Sequence, residues 1–109
     1  MVGPVRYDAE VMYSFTAPIW YWRGPSPFYF VTVPAEISEE LRELSIAATY
    51  GWGMIPVEVD CGGVGFTTSL FAKDGGYVMP VKKAVRTAVG LDQGDVMDVA
   101  FSVSFRTEG

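Results

Sequence analysis

"YVMPVKKAVRTAVGLDQGD", Tyr77 to Asp95, sets out a whole structural unit. Its apolar start reads as a strand that stops at Pro80, because proline has no N–H to give to a ladder. Beyond it, Ala84, Val85, Ala88 and Val89 recur at helical spacing and form one apolar side. Gly90 followed by Leu91 reads as a C-terminal cap with its hydrophobic contact. "DQGD" is then a turn. It launches "VMDVAFSVSF", which alternates Met97, Val99, Phe101, Val103 and Phe105 inward against Asp98, Ala100, Ser102 and Ser104 outward.

The same order occurs earlier in the chain. "FVTVPAEISEELREL" (Phe30 to Leu44) is a β-branched strand closed by Pro34 and followed by a helix with Ile37, Leu41 and Leu44 on one face. Glu36, Glu39 and Glu40 sit in its first turns, where the helix dipole favours negative charge; they read as a solvated face. A glycine turn then leads into "WGMIPVEVD". The helix registers of the two halves match only after a shift of about two residues, so the repeat is one of structure rather than of sequence.

The closing strand of the first half opens the clearest hairpin, "WGMIPVEVDCGGVGFTTSLF" (Trp52 to Phe71). Gly62-Gly63 is a two-residue loop of the kind that needs positive φ. Pairing across it sets Cys61 opposite Val64, Val59 opposite Phe66, Val57 opposite Thr68 and Ile55 opposite Leu70. The inner face is therefore apolar except for Thr68, and Cys61 is an inert core residue. Met54, Pro56, Glu58 and Asp60 point outward. Pro56 places this strand at an edge, or bulges it there. A further strand, "EVMYSFTAP" (Glu10 to Pro18), turns Val11, Tyr13, Phe15 and Ala17 inward. "IWYWRGPSP" then breaks the pattern with two prolines and a glycine. Six strands with so many inward aromatics bury them by closing. The expectation is a mainly β fold: a small closed six-stranded β-barrel with two short α-helices, built from pseudo-twofold strand–helix–strand halves, one domain over residues 1–109.

Composition restricts function more than it assigns it. With one cysteine and no histidine there is no intrachain disulfide and no ordinary zinc ligand set. No apolar run approaches the roughly 20 residues needed to span a bilayer. The start "MVGPVRYDAE" lacks the charged and apolar regions of a signal peptide, and its second residue is not the glycine that myristoylation needs. The expected setting is cytoplasmic, without membrane contact. A net charge of −5 disfavours nucleic acid, whose binding rests on many Lys/Arg–phosphate contacts.

The stretches "FTAPIWYW", "FYFVTVPAEI", "YGWGMIPVEV" and "FTTSLFAKDGGYVMPVKKAVRTAVGLDQGD" together resemble a bacterial and archaeal family of uncharacterised small barrel domains. In some relatives that domain precedes a bacteriocin-protection, OmpD-associated domain. The resemblance runs from about Glu10 to Phe105, and it implies a closed barrel. It carries no reaction and no catalytic residues. A weaker likeness is to swapped-hairpin transcription regulators, which share the proline–helix–GD–strand shape but build the barrel from two chains.

Two groups of residues are candidates for binding. Trp20, Trp22, Arg23 and Phe28, with Trp52 and Tyr50 elsewhere, offer rings and a guanidinium of the kind favoured in pockets and at partner surfaces. The competing assignment is that these rings plug an end of the barrel. Lys82, Lys83 and Arg86, with Lys73 near in sequence, could hold an anion at the start of the second helix; otherwise they are a solvated face paired with Asp74, Asp92 or Asp95. Glu58 and Asp60 share an outer strand face without a third ligand, so no metal site follows. Ser69, Thr67, Thr68 and Cys61 have no histidine to activate them, so no catalytic residue and no cofactor is assigned. The expected function is a non-catalytic module for a small ligand or a protein. The alternatives are a nucleic-acid binder, which needs the four cations on one face, and a small enzyme, which needs a cavity with convergent polar groups. The outer face with Ala100, Ser102 and Ser104 leaves room for a homodimer contact.

Overall fold

Every strand except the first is bounded by glycine, proline or a helix, and the spacing of those breaks sets the element order. In a computed structural model, which describes residues 6–48 and 54–108, the order is β1 (Arg6–Pro18), β2 (Trp20–Trp22), β3 (Phe28–Thr32), α1 (Ala35–Ala48), β4 (Met54–Cys61), β5 (Val64–Lys73), β6 (Gly76–Pro80), α2 (Lys83–Val89) and β7 (Val96–Glu108). The fold is mainly β with two helices, as the alternation implied. The sheet, however, has seven strands in the order β1-β7-β4-β5-β6-β3-β2 and is an open half-barrel, not a closed six-stranded barrel. The additional strand is β2, in the segment expected to be irregular: its three residues pair with β3 before Gly24 and Pro25 end it.

The hairpin β4–β5 has the expected register, from Cys61 opposite Val64 to Ile55 opposite Leu70. Gly62 and Gly63 take φ of 58° and 90°, the left-handed values that glycine adopts without a Cβ clash. Pro56 does not mark an edge, because β4 lies inside the sheet between β7 and β5. The ladder between β4 and β7 covers Glu58 to Asp60 and stops short of Pro56, so no bond is demanded of the missing N–H.

The two strand–helix–strand halves interlock. Corresponding strands pair antiparallel, β3 with β6 and β4 with β7. At the strand–helix junctions the bonding is reciprocal: Val33 N–H donates to the Tyr77 carbonyl at 3.0 Å, and Val81 N–H donates to the Tyr29 carbonyl at 2.8 Å. Tyr29 and Tyr77, like Val33 and Val81, are 48 residues apart in the sequence. At that same offset Ile37 matches Val85 and Leu41 matches Val89, so the starts of the helices need no extra shift; Pro34 and Pro80, and the elements after the helices, fall out of step. The correspondence reaches a side chain. Five residues after each valine, Ser38 Oγ donates to the Val33 carbonyl (3.4 Å) and an Arg86 guanidinium N–H donates to the Val81 carbonyl (2.8 Å).

The core lies on one face of the sheet. Phe15, Ala17, Val31, Ile55, Val57, Val59, Cys61, Leu70, Met79, Met97, Val99, Phe101 and Val103 are buried there, with Leu41 of α1 packed among them. Ile37, Val85, Val89 and Leu91 pack on its border. The side chain of Phe105 lies outside the described residues. Among the described residues Ser38 is the buried polar one, and its Oγ also accepts the Tyr77 N–H at 3.2 Å. Gly90 caps α2 at φ 73°, its N–H reaching the Arg86 and Thr87 carbonyls, and Leu91 N–H closes the motif on Arg86 at 3.1 Å.

β1 and β2 stand at opposite ends of the sheet order, yet only Ile19 separates them in the chain. The sheet must therefore curl enough for one residue to join its two borders. Ile19 is buried and its backbone is held on both sides by the "DQGD" turn: Ile19 N–H donates to the Asp95 carbonyl (2.9 Å), and Gly94 N–H donates to the Ile19 carbonyl (2.8 Å). The turn is itself fixed by the Asp92 N–H to the Asp95 carboxylate and by the Gln93 N–H to the Asp92 carboxylate. Among the described residues no helix is long and apolar enough to cross a membrane.

Candidate functional site: an aromatic groove opposite the core

In a strand that packs on one side only, alternate residues meet solvent and are usually polar. Here the second face of β2, β3 and β6, continued by Met54 of β4 and Phe71 of β5, is largely apolar as well. Register carries a continuous row from Met54 to Phe71 to Val78 to Thr32, and a neighbouring row from Pro80 to Phe30 to Trp20. Phe28 and Trp22 pair beside them. The rings of Trp20, Trp22 and Phe28 surround Phe30, with centroids 5.4, 6.4 and 5.8 Å from it. Several of these side chains stay accessible: Trp22 is 37% exposed, Phe28 36%, Phe71 38% and Met54 44%.

Together they line an open groove of ≈ 1270 Å³. Its apolar lining includes Trp22, Phe28, Phe30, Met54, Phe71 and Pro80; Thr67, Ser69 and Ser26 are among its hydroxyls, and Glu58, Lys73 and Lys82 add charge. The Lys73 ammonium stands 5.4 Å from the centre of the Trp22 ring. β6 and β3 lie between β5 and β2 in the sheet, so this contact reaches across two strands and walls the groove at one end. Gly24 is required beside it, because a Cβ there would run into the Trp22 indole. Trp20 is fixed from its own side by an indole N–H bond to Thr32 Oγ1 at 2.9 Å.

The structure thus separates the expected aromatic group. Trp20, Trp22 and Phe28 are neither a loop nor a barrel plug. They belong to or adjoin the β2–β3 ribbon, on the face away from the core. Arg23 is exposed and does not line the groove. Trp52 and Tyr50 lie outside the described residues. Phe30, Met54, Phe71, Val78 and Pro80 are groove residues that sequence reasoning passed over. The signal was present in runs such as Phe28-Tyr29-Phe30-Val31, where both alternating faces are apolar.

The basic cluster does not act as one site either. Lys82 lines the aromatic groove, whereas Lys83 and Arg86 line a separate recess of ≈ 330 Å³ whose two cations are matched by Asp92 and Asp95. Arg86 is committed to the fold. Its side chain is only 14% exposed, pairs with Asp92 at 3.7 Å, and lies 3.8 Å from the Tyr29 ring centre while it donates to the Val81 carbonyl. Lys73 pairs with Asp74 at 3.8 Å. The four cations that a nucleic-acid surface required are divided between two recesses.

The perturbed groups lie elsewhere. Burial pushes the Cys61 thiol up, which keeps it neutral and inert. Burial, then the charge of Glu40 and a hydrogen bond to it at 3.3 Å, raise the Tyr13 phenol. Neither residue lines the groove. Among the described residues, no three of Cys, Asp and Glu come together as a metal-binding group.

Fold and site define a class: a β half-barrel built from two interlocked strand–helix–strand halves, with an aromatic groove on the face opposite its core. Residues 15–101 match the family described as Domain of unknown function (DUF1905), and the chain belongs to that family. A comparison with curated proteins found no match.

Proposed function

We propose that the protein is a non-catalytic binding module that seats a small, largely apolar ligand in the groove of Trp22, Phe28, Phe30, Met54 and Phe71. The observation that supports this reading is apolar continuity: five strands contribute adjoining apolar side chains to a face where water would otherwise select polar ones. A patch of this kind marks an interaction surface more often than it marks architecture. The groove is open along one side, so a ligand would lie against the sheet rather than be engulfed.

A thermal-shift screen of apolar fragments tests the reading, since a ligand that binds only the folded state raises the melting temperature by mass action. Hits should move the amide resonances of Trp22, Phe28 and Phe71 together. They should lose their effect in a folded Phe71→Asp variant. A screen whose hits all map to other surfaces, or that yields none, refutes the reading.

A further inference from the structure

We infer that the groove selects ligands that carry a negative charge on a flat apolar body, an aromatic carboxylate or sulfonate being the simplest form. The inference rests on the binding reading above and adds a charge to the ligand.

The chain has three lysines, and two of them, Lys73 and Lys82, line this groove. One carboxylate, Glu58, is in the lining with them. The groove thus holds an excess of positive charge in a protein whose net charge is −5. The lysines stand on different elements: Lys73 ends β5, and Lys82 is the residue before α2. Architecture accounts for Arg86 but not for Lys82, which makes no salt bridge and caps no helix N–H with its side chain among the described residues. Asp74, the partner of Lys73, is 87% exposed at its side chain and leaves that pairing weak and open to competition.

The rings complete the argument. A flat apolar body gains area and offset stacking against Trp22, Phe28 and Phe30, where Trp22 meets Phe30 edge-on and Phe28 lies tilted to it. Lys73 stands at the face of Trp22, so an anion on a ring stacked there comes within reach of an ammonium. The hydroxyls of Ser26, Thr67 and Ser69 supply further donors along the lining. A cationic ligand meets the lysines as repulsion and finds Glu58 as its one opposite charge in the lining. A neutral ligand gains the stacking alone.

Three probes with one ring system separate these cases: 2-naphthoate, 2-naphthylmethanol and 2-naphthylmethylammonium, titrated into the full chain and followed by the Trp22 indole N–H resonance. The expected order of affinity is anion, neutral, cation. One exposed and one half-exposed lysine make the anion about threefold to tenfold tighter than the alcohol at low salt, and the gap shrinks as salt rises. The Lys73→Glu/Lys82→Glu double variant should invert the order; Lys82 is exposed and Lys73 half-exposed, and an unchanged circular dichroism spectrum shows that the fold is kept. Equal affinity of the anion and the alcohol, or an order unchanged in the double variant, overturns the inference and leaves the apolar groove standing. Failure of all three probes to bind overturns both.

Discussion

Replacing Ser38 by alanine removes a hydroxyl that joins three elements. Ser38 is 2% exposed, donates to the Val33 carbonyl at the end of β3 and accepts the Tyr77 N–H from β6 at 3.2 Å. The two losses are unequal. The bond to Val33 is long at 3.4 Å, and a carbonyl tolerates the loss of one partner. The Tyr77 amide is the greater loss, since it is left as a buried donor without an acceptor at the removed oxygen, which costs about 1–3 kcal/mol. The small void left by the oxygen adds little. The expected destabilisation is therefore about 2 kcal/mol, or roughly 1 M in the urea midpoint at a slope typical of small domains. Urea unfolding followed by tryptophan fluorescence measures it, with Glu39→Ala on the exposed side of the same turn as a control expected within about 0.5 kcal/mol. Native-state hydrogen exchange adds a local readout: the Tyr77 amide should lose protection first. A Ser38→Ala midpoint equal to that of the control, with Tyr77 protection intact, would refute the claim that this hydroxyl satisfies the junction.

Two further outcomes follow from the same contacts. Arg86→Ala removes a bond to Val81, an ion pair with Asp92 and a guanidinium stacked on Tyr29, so it should destabilise by roughly 1–3 kcal/mol; Arg86→Lys should recover only part of this in thermal unfolding, because an ammonium has no flat face to stack. For Tyr13, the folded phenol titrates above its unfolded value of 10.0, so its contribution to stability is complete below that pH and is lost as pH rises through the folded value. The chain should weaken as pH rises above 10.0, and Tyr13→Phe, which keeps the ring against Phe101, should flatten that decline in denaturant midpoints.

The parts of the fold that sequence exposes are those fixed by period and by turn chemistry. Gly62-Gly63 determines the β4–β5 register to the residue, and the cap at Gly90 determines where α2 ends. β2 escaped because three residues between Pro18 and Gly24 carry no period, and their strand character comes from a partner in β3. Curvature escaped for a different reason. Alternation states which face of a strand is buried, not how far a sheet bends or whether its borders meet. The groove was half legible: Trp22, Phe28 and Lys82 were singled out, but as members of separate groups. Their union with Met54 and Phe71 depends on which strands lie side by side, and β6 falls between β5 and β3 only through the pairing of the two halves. Arg86 shows the opposite case, a residue that looked free for function because the carbonyl it serves is an interruption in hydrogen bonding that sequence does not display.

The position of Ile19 has a consequence for the order of assembly. β1 is paired along its length with β7, so that Arg6 stands opposite Glu108, and the turn that clasps Ile19 is formed by the residues just before β7. On the ribosome, β1 emerges first and its partner last. At roughly 5–20 residues per second, the first strand waits on the order of ten seconds with its ladder unsatisfied while the middle of the chain is made. Closing a loop of nearly the whole chain is the step that topology makes slow. The inner hairpin and the two helices can form during that interval, and the final arrival of β7 then fixes both the first strand and the crossing to β2 in one event. This topology favours assembly from the middle of the fold outward, with β1 docking last.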